Sequence, residues 1–256
     1  VLMRTWIAAL TLAGALLPAQ PQPASPHPAQ PSPEAQPAKP QISPEMRGDI
    51  YMARRMYREA IDVYRSIQPP TAVILNKIGI AYQQLGDLDS ARKMYERAIK
   101  LNKKYAEAVN NLGTVHYARK NYRRAISQYK KALSVNPDSA SIYSNLGTAY
   151  FARKDYRRAI ECYEKAVSLD PDVFERRGTS GVLLQERSVE ERAKFHYHLA
   201  KVYAKSGRND LALFYIRKSL EEGFKEKQRY LEESEFAELR KLPEFEELMK
   251  IEPRVL

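Results

Sequence analysis

The chain has 256 residues, 44% of them hydrophobic, and carries 42 Lys and Arg against 31 Asp and Glu, a formal net charge of +11. Its single cysteine, Cys162, excludes an internal disulfide framework, so stability must come from packing. Ten of the 16 prolines lie between Pro18 and Pro44, which confines any packed core to the chain after about Ile42. The charge is uneven: twelve Lys and Arg against two Glu from Arg92 to Lys131, then ten Glu against five Lys and Arg from Glu221 to Glu247. Such polarity suits a partner of matching polarity, or contact between the ends of neighbouring molecules.

In chain order, Met3-Arg4-Thr5 forms a short positive region ahead of an apolar run of twelve, Trp6 to Leu17. That run is short for a hydrocarbon layer of roughly 30 Å and has the size of a signal-peptide core. A signal peptide is expected over 1–19, with cleavage after Ala19 and Ala13-Gly14-Ala15 as the competing site; the alternative is an uncleaved anchor. Leu12-Ala13-Gly14-Ala15 is similar to a bacterial lipoprotein box with alanine in place of the lipidated cysteine, so no lipid anchor is expected. Residues 20–43, built from Pro, Ala, Gln and Ser, are expected to be a disordered spacer of polyproline II character. At about 3.1 Å per residue it reaches roughly 70 Å.

A repeat follows. Gly79, Gly113 and Gly147 are 34 residues apart, each preceded by Leu or Ile. Alanines recur at Ala91, Ala125 and Ala159, tyrosines at Tyr95, Tyr129 and Tyr163, alanines again at Ala98, Ala132 and Ala166, and Pro137 and Pro171 close two units. This pattern resembles the tetratricopeptide repeat. The resemblance implies an all-α, right-handed superhelical solenoid of antiparallel helix pairs, about five units of which three are clear. Small residues are expected where the two helices of a unit cross, Gly113 against Ala125 and Gly147 against Ala159, with the tyrosines filling the gaps between units. One hairpin cannot bury its apolar face, so units stack. Four units are expected over 44–169, an insertion over 170–188, a fifth unit over 189–224 opened by a Ser188–Glu191 capping box, and a C-terminal cap over 225–256. In that cap, Phe236, Leu239, Leu242, Phe245 and Leu248 recur at helical spacing and are expected on short helices broken at Pro243.

Two surfaces stand out. The near-identical stretches ARKNYRRAI (118–126) and ARKDYRRAI (152–160) place Arg119, Lys120, Arg123 and Arg124, then Arg153, Lys154, Arg157 and Arg158, along one rim. Lys120 and Lys154 stand where the family places glycine, and Asn121 and Asp155 are expected to cap the following helices. Phosphate binding by this rim is conceivable, but Tyr122 and Tyr156 occupy a position where the repeat buries an aromatic, so no nucleic acid partner is expected. The second surface is the concave face, which the family lines with its first helix. The resemblance places Asn76, Ile80 and Gln83 there, then Asn110, Asn111, Thr114 and Tyr117, then Ser144, Asn145, Thr148 and Phe151, and in the last unit Tyr197, His198 and Lys201. Asn111 and Asn145 resemble the asparagine ladder in the repeats of O-linked N-acetylglucosamine transferase, where amides hold an extended chain through its peptide groups. The basic clamp that other members use for a C-terminal carboxylate is absent from the first helix of each unit (helix A), so chaperone-tail binding is not expected.

No catalytic constellation is present. His196 and His198 lack the i,i+4 spacing of a zinc pair, Gly178-Thr-Ser-Gly is neither a phosphate loop nor a nucleophile elbow, and Cys162 has no histidine near it in sequence. The expectation is a non-enzymatic scaffold without cofactor or metal. It would bind an extended or helical protein segment on the concave face, in the bacterial periplasm or cell envelope and near a membrane. The alternatives are an accessory subunit of an envelope assembly or secretion machine, or a binder of anionic surfaces or nucleic acid through the rim.

Overall fold

The computed structural model describes residues 42–175 and 188–252. The expected signal peptide, nearly all of the spacer and residues 176–187 of the insertion lie outside these. Four helical hairpins come first: α1 (Pro44–Ala53) with α2 (Tyr57–Arg65), α3 (Ala72–Gln84) with α4 (Leu88–Leu101), α5 (Ala106–Ala118) with α6 (Tyr122–Val135), and α7 (Ala140–Ala152) with α8 (Tyr156–Leu169). A fifth pairs α9 (Val189–Lys205) with α10 (Asn209–Glu221), and α11 (Gln228–Glu232), two 3-10 turns and α12 (Pro243–Leu248) finish the chain. There is no strand among the described residues.

Local chemistry sets the helix ends. Ser43, Thr71, Asp87, Asp155 and Ser188 each accept a hydrogen bond from the backbone N–H three residues on, satisfying one of the free donors of the first turn. Asn121 departs from expectation: its side chain makes no cap bond. The corner there is closed by backbone instead, with Lys120 N–H donating to Tyr117 O at 2.7 Å and Asn121 N–H to His116 O at 2.9 Å. The same double closure ends the first helix of every unit, and it demands a left-handed residue at the turn. Gly86 and Gly207 fill that position at φ 78° and 74°, whereas Arg55, Lys120 and Lys154 hold it at 60°, 58° and 60° despite their side chains.

Within a unit the close approach differs from the expected glycine–alanine contact. A Cβ on Gly113 would sit 2.6 Å from the Tyr129 ring, and one on Gly79 or Gly147 would sit 2.5 Å from Tyr95 or Tyr163. For Gly147 the Ala159 carbonyl comes next, at 3.1 Å. The tyrosines therefore pack inside their own unit, each ring laid across the bare backbone of its glycine, rather than only between units. Unit 5 changes both partners at once. Ala200 replaces the glycine and Ile216 the tyrosine, and both are fully buried.

The core runs continuously from α5 to α12 and closes at the C-terminal end on aromatic rings. Tyr197 stacks on Phe224 with centroids 4.5 Å apart, and Tyr230 and Phe236 meet edge-to-face at 5.0 Å. Pro243 does not break a helix as expected; it begins α12, where its missing N–H is no loss and its fixed φ already suits the first turn. Phe236 and Leu239 fall in the 3-10 turns Ser234–Phe236 and Leu239–Lys241. The first residues of the insertion are docked: Tyr203 and Tyr215 donate to Pro171 O at 3.1 Å and to Glu175 at 2.7 Å, and Val173 and Phe174 are buried.

Candidate functional site

The first helices of successive units line one face, and hydroxyls from the second helices reach it. Tyr64 donates to Asp49 at 2.5 Å, Tyr95 to Gln83 at 3.0 Å, Tyr129 to Thr114 at 3.3 Å and Tyr163 to Thr148 at 3.5 Å. Only because the glycine lacks a side chain can a buried ring pass beside helix A and place its oxygen among these residues. At the N-terminal end, burial opposes ionisation of Asp49, yet hydrogen bonds from Lys77 and Tyr64 hold its carboxyl below the usual range. Lys77 bridges Glu45 at 2.8 Å and Asp49 at 2.7 Å.

The four asparagines come together as one chain of amides. Asn145 Nδ2 donates to Asn110 Oδ1 at 3.0 Å, Asn110 to Asn111 at 3.4 Å, Asn111 to Asn76 at 3.0 Å, and Asn76 to the Tyr105 hydroxyl at 3.4 Å. The bonds between units link residues 35 apart, a diagonal from one helix A to its neighbour. Sequence alignment at the repeat length pairs Asn111 with Asn145 and misses this, because the contact runs between the sixth position of one unit and the fifth of the previous one. An amide offers two donors and two lone pairs, so Asn110 and Asn111 each keep one N–H and one lone pair.

Exposure divides the face. Asn110, Asn111 and Thr114 are half-buried, as are Lys77, Ile80 and Gln83 beside them. Asn76, Tyr117, Ser144, Asn145, Thr148 and Phe151 are buried. Phe151 lies edge-on to Tyr156 at 5.2 Å and to Phe195 at 5.7 Å, and Tyr117 meets Tyr122 at 5.2 Å. The unit 5 residues expected on this face are covered by the C-terminal segment. Lys201 bridges Glu233 at 2.9 Å and Glu235 at 3.1 Å, while Tyr197 donates to Glu233 at 2.5 Å. Burial works against the Glu233 carboxylate, but Tyr197, Lys201 and Arg229 together keep it below its usual range.

On the rim, Arg119 bridges Asp89 at 2.6 Å, Arg157 bridges Glu161 at 3.0 Å and Arg158 bridges Asp155 at 3.3 Å. Lys120, Arg123, Arg124, Arg153 and Lys154 are exposed and make no ion pair within 4.0 Å among the described residues. Tyr122 and Tyr156 are half-buried, and Tyr156 stacks on His198 at 5.2 Å.

The titratable candidates diverge. His196 Nδ1 meets Glu222 at 2.7 Å, whereas His198 turns toward the aromatic cluster and its Nδ1 has no hydrogen-bond partner. Burial, then the charges of Lys201 and Arg229, lower the His198 pKa to about 4. Burial pushes the Cys162 thiol up to about 12, which keeps it protonated and a poor nucleophile. Among the described residues no group of three or more His, Cys, Asp and Glu side chains is placed to hold a metal ion, and no helix is long and apolar enough to cross a membrane.

The sequence profile of the tetratricopeptide repeat matches residues 45–104 and 105–172, and a second profile of that repeat matches 193–222. The chain belongs to the tetratricopeptide repeat family. No curated protein matches it in sequence. Among solved structures it is similar to MamA from Desulfovibrio magneticus RS-1, at 23% identity and a TM-score of 0.48 over 68% of this chain and 89% of that one. It is similar also to YrrB, described as a tetratricopeptide protein with an unusual peptide-binding site, at 26% identity and a TM-score of 0.44 over 50% and 67%. Cut9 in the APC/C Cut9–Hcn1 hetero-tetramer superposes with a TM-score of 0.51 at 20% identity, covering 77% of this chain and 35% of that one, a likeness of fold.

Proposed function

We propose that this tetratricopeptide chain is a non-catalytic scaffold that holds an extended or helical segment of a protein partner along the concave face of units 2 and 3. Its place of work is the bacterial cell envelope. The observation that carries the reading is the half-open run Lys77, Ile80, Gln83, Asn110, Asn111 and Thr114. There, two amides fixed by their neighbours still have one donor and one acceptor each, the pair needed to engage one peptide unit. Fixing an amide beforehand removes the ordering cost that a free side chain would incur on binding. Asn145, Thr148 and Phe151 then act as the buried support of this run. The envelope assignment rests on the charged and apolar pattern of residues 3–17.

A photo-crosslinking residue at Thr114 tests the face, with the same residue at the exposed Lys131 on α6 as control. A discrete adduct from Thr114 alone, weakened by Asn110→Ala/Asn111→Ala, is the expected result. Equal adducts from both positions refute the concave reading. Fractionation of cells expressing the chain tests the location, and mature protein in the cytosol with Trp6 still attached overturns it.

A further inference from the structure

Among the described residues, the non-glycine positions with positive φ are Arg55, Lys120 and Lys154, all cations and all exposed. Each ends the first helix of its unit, where units 2 and 5 use Gly86 and Gly207. The left-handed region is disfavoured for any residue with a Cβ, so glycine solves the same corner at less cost. The three side chains are exposed, and the equivalent corners of units 2 and 5 are open, since a Cβ on Gly86 or Gly207 meets nothing within 4 Å. Further exposed cations flank these corners: Arg54 and Arg58, Arg123 and Arg124, Arg153 and Arg157. Because the helices of a stack alternate in direction, all of these corners fall on one edge. The same edge carries two exposed apolar side chains, Met56 at 37% and Leu85 at 41%.

We infer that this edge docks on an anionic phospholipid surface. Its cations stand at the corners of units 1, 3 and 4, with the exposed Asp87 and Asp89 of unit 2 between them, and this spread without convergence on one point fits the dispersed negative charge of lipid headgroups. A protein partner is normally gripped by a central buried anchor with a polar rim, and this edge has no such anchor. Single-stranded nucleic acid needs open aromatic platforms, whereas Tyr122 and Tyr156 are tied to Tyr117, Phe151 and His198. Interleaved cations and apolar tips are the composition of interfacial membrane contacts. The envelope location proposed above, on which this inference rests, brings such a surface within reach.

The test is co-sedimentation of the mature chain, from Gln20 onward, with phosphatidylcholine vesicles, with and without about one-third phosphatidylglycerol. Three proteins are compared: wild type, the corner variant Arg55→Gly/Lys120→Gly/Lys154→Gly, and Lys100→Gln/Lys103→Gln/Lys104→Gln on the opposite edge. The two variants lose the same charge, and the glycines relieve strain, so the corner variant melts no lower than wild type. Wild type should prefer the anionic vesicles, the corner variant should lose about a hundredfold in affinity, and the opposite-edge variant should lose less than about tenfold. Three outcomes overturn the inference: equal losses in both variants, no loss in the corner variant, or tighter corner-dependent binding to polyglutamate or a mixed-sequence single-stranded oligonucleotide than to vesicles.

Discussion

Gly113→Ala adds one methyl group where the ring of Tyr129 already lies. The new Cβ would be 2.6 Å from Cε1 and 2.7 Å from Cδ1, so reaching an ordinary contact of 3.4 Å requires a shift of about 0.8 Å. The ring has no free direction, because it is fully buried and its hydroxyl donates to Thr114. Overpacking of this kind costs about 1–3 kcal/mol, and the tied ring puts this site near the upper end. Replacing glycine by alanine inside a helix returns about 1 kcal/mol of propensity. A net loss of about 2 kcal/mol follows, or a fall in Tm of about 4–8 °C for a folded part of this size. Urea and thermal unfolding followed by circular dichroism measure it. Combining Gly113→Ala with Tyr129→Ile reproduces the Ala200/Ile216 pair of unit 5 and should cost at least about 1 kcal/mol less than the two single losses added. A neutral or stabilising Gly113→Ala, or strict additivity in the double variant, would refute the account of the ring lying on bare backbone.

Four further outcomes are expected. Asn110→Ala leaves the amide of Asn145 and the oxygen of Asn111 without their partners, a loss of about 1–3 kcal/mol seen in the unfolding midpoint. Lys120→Gly and Lys154→Gly should each raise stability by about 0.5 kcal/mol, the strain relieved exceeding the added freedom of the unfolded chain. His198 has a folded pKa of about 4 against 6.5 for the free side chain, so the unfolded chain binds the extra proton between these values. The contribution of His198 to stability is then complete above about pH 6.5 and falls by about 3 kcal/mol as the pH drops to 4; His198→Phe should make the slope of an acid titration of unfolding shallower. Cys162 should resist iodoacetamide at neutral pH in the folded chain and react promptly in denaturant, as a mass shift would show.

Much of the fold was legible because the repeat writes its constraints periodically. Gly113, Tyr129 and Ala125 recur because each unit solves the same crossing, and Lys120 and Lys154 fall where the corner must be left-handed. What the spacing could not supply was the partner of each small residue. Glycine and alanine both recur at fixed offsets, and only coordinates distinguish a glycine facing an alanine from a glycine facing a ring. Asn121 and Asp155 look equivalent in sequence, yet only Asp155 bonds the N–H three residues on. Pro243 was ambiguous for a related reason, since proline both starts and stops helices and its neighbours decide which.

By itself, then, the sequence determined the helical hairpins, their number in outline and the basic corners, all of which depend on residue type and interval along the chain. Tertiary structure decided which part of the face lined by the first helices remains open. Tyr197 and Lys201 have the register of groove residues, but Glu233 and Glu235 return from more than 30 residues away to occupy them. Asn111 finds Asn76 rather than solvent for the same reason. A periodic pattern fixes which face of a helix a side chain is on, whereas its availability depends on what another segment brings to that face, and no local interval records that.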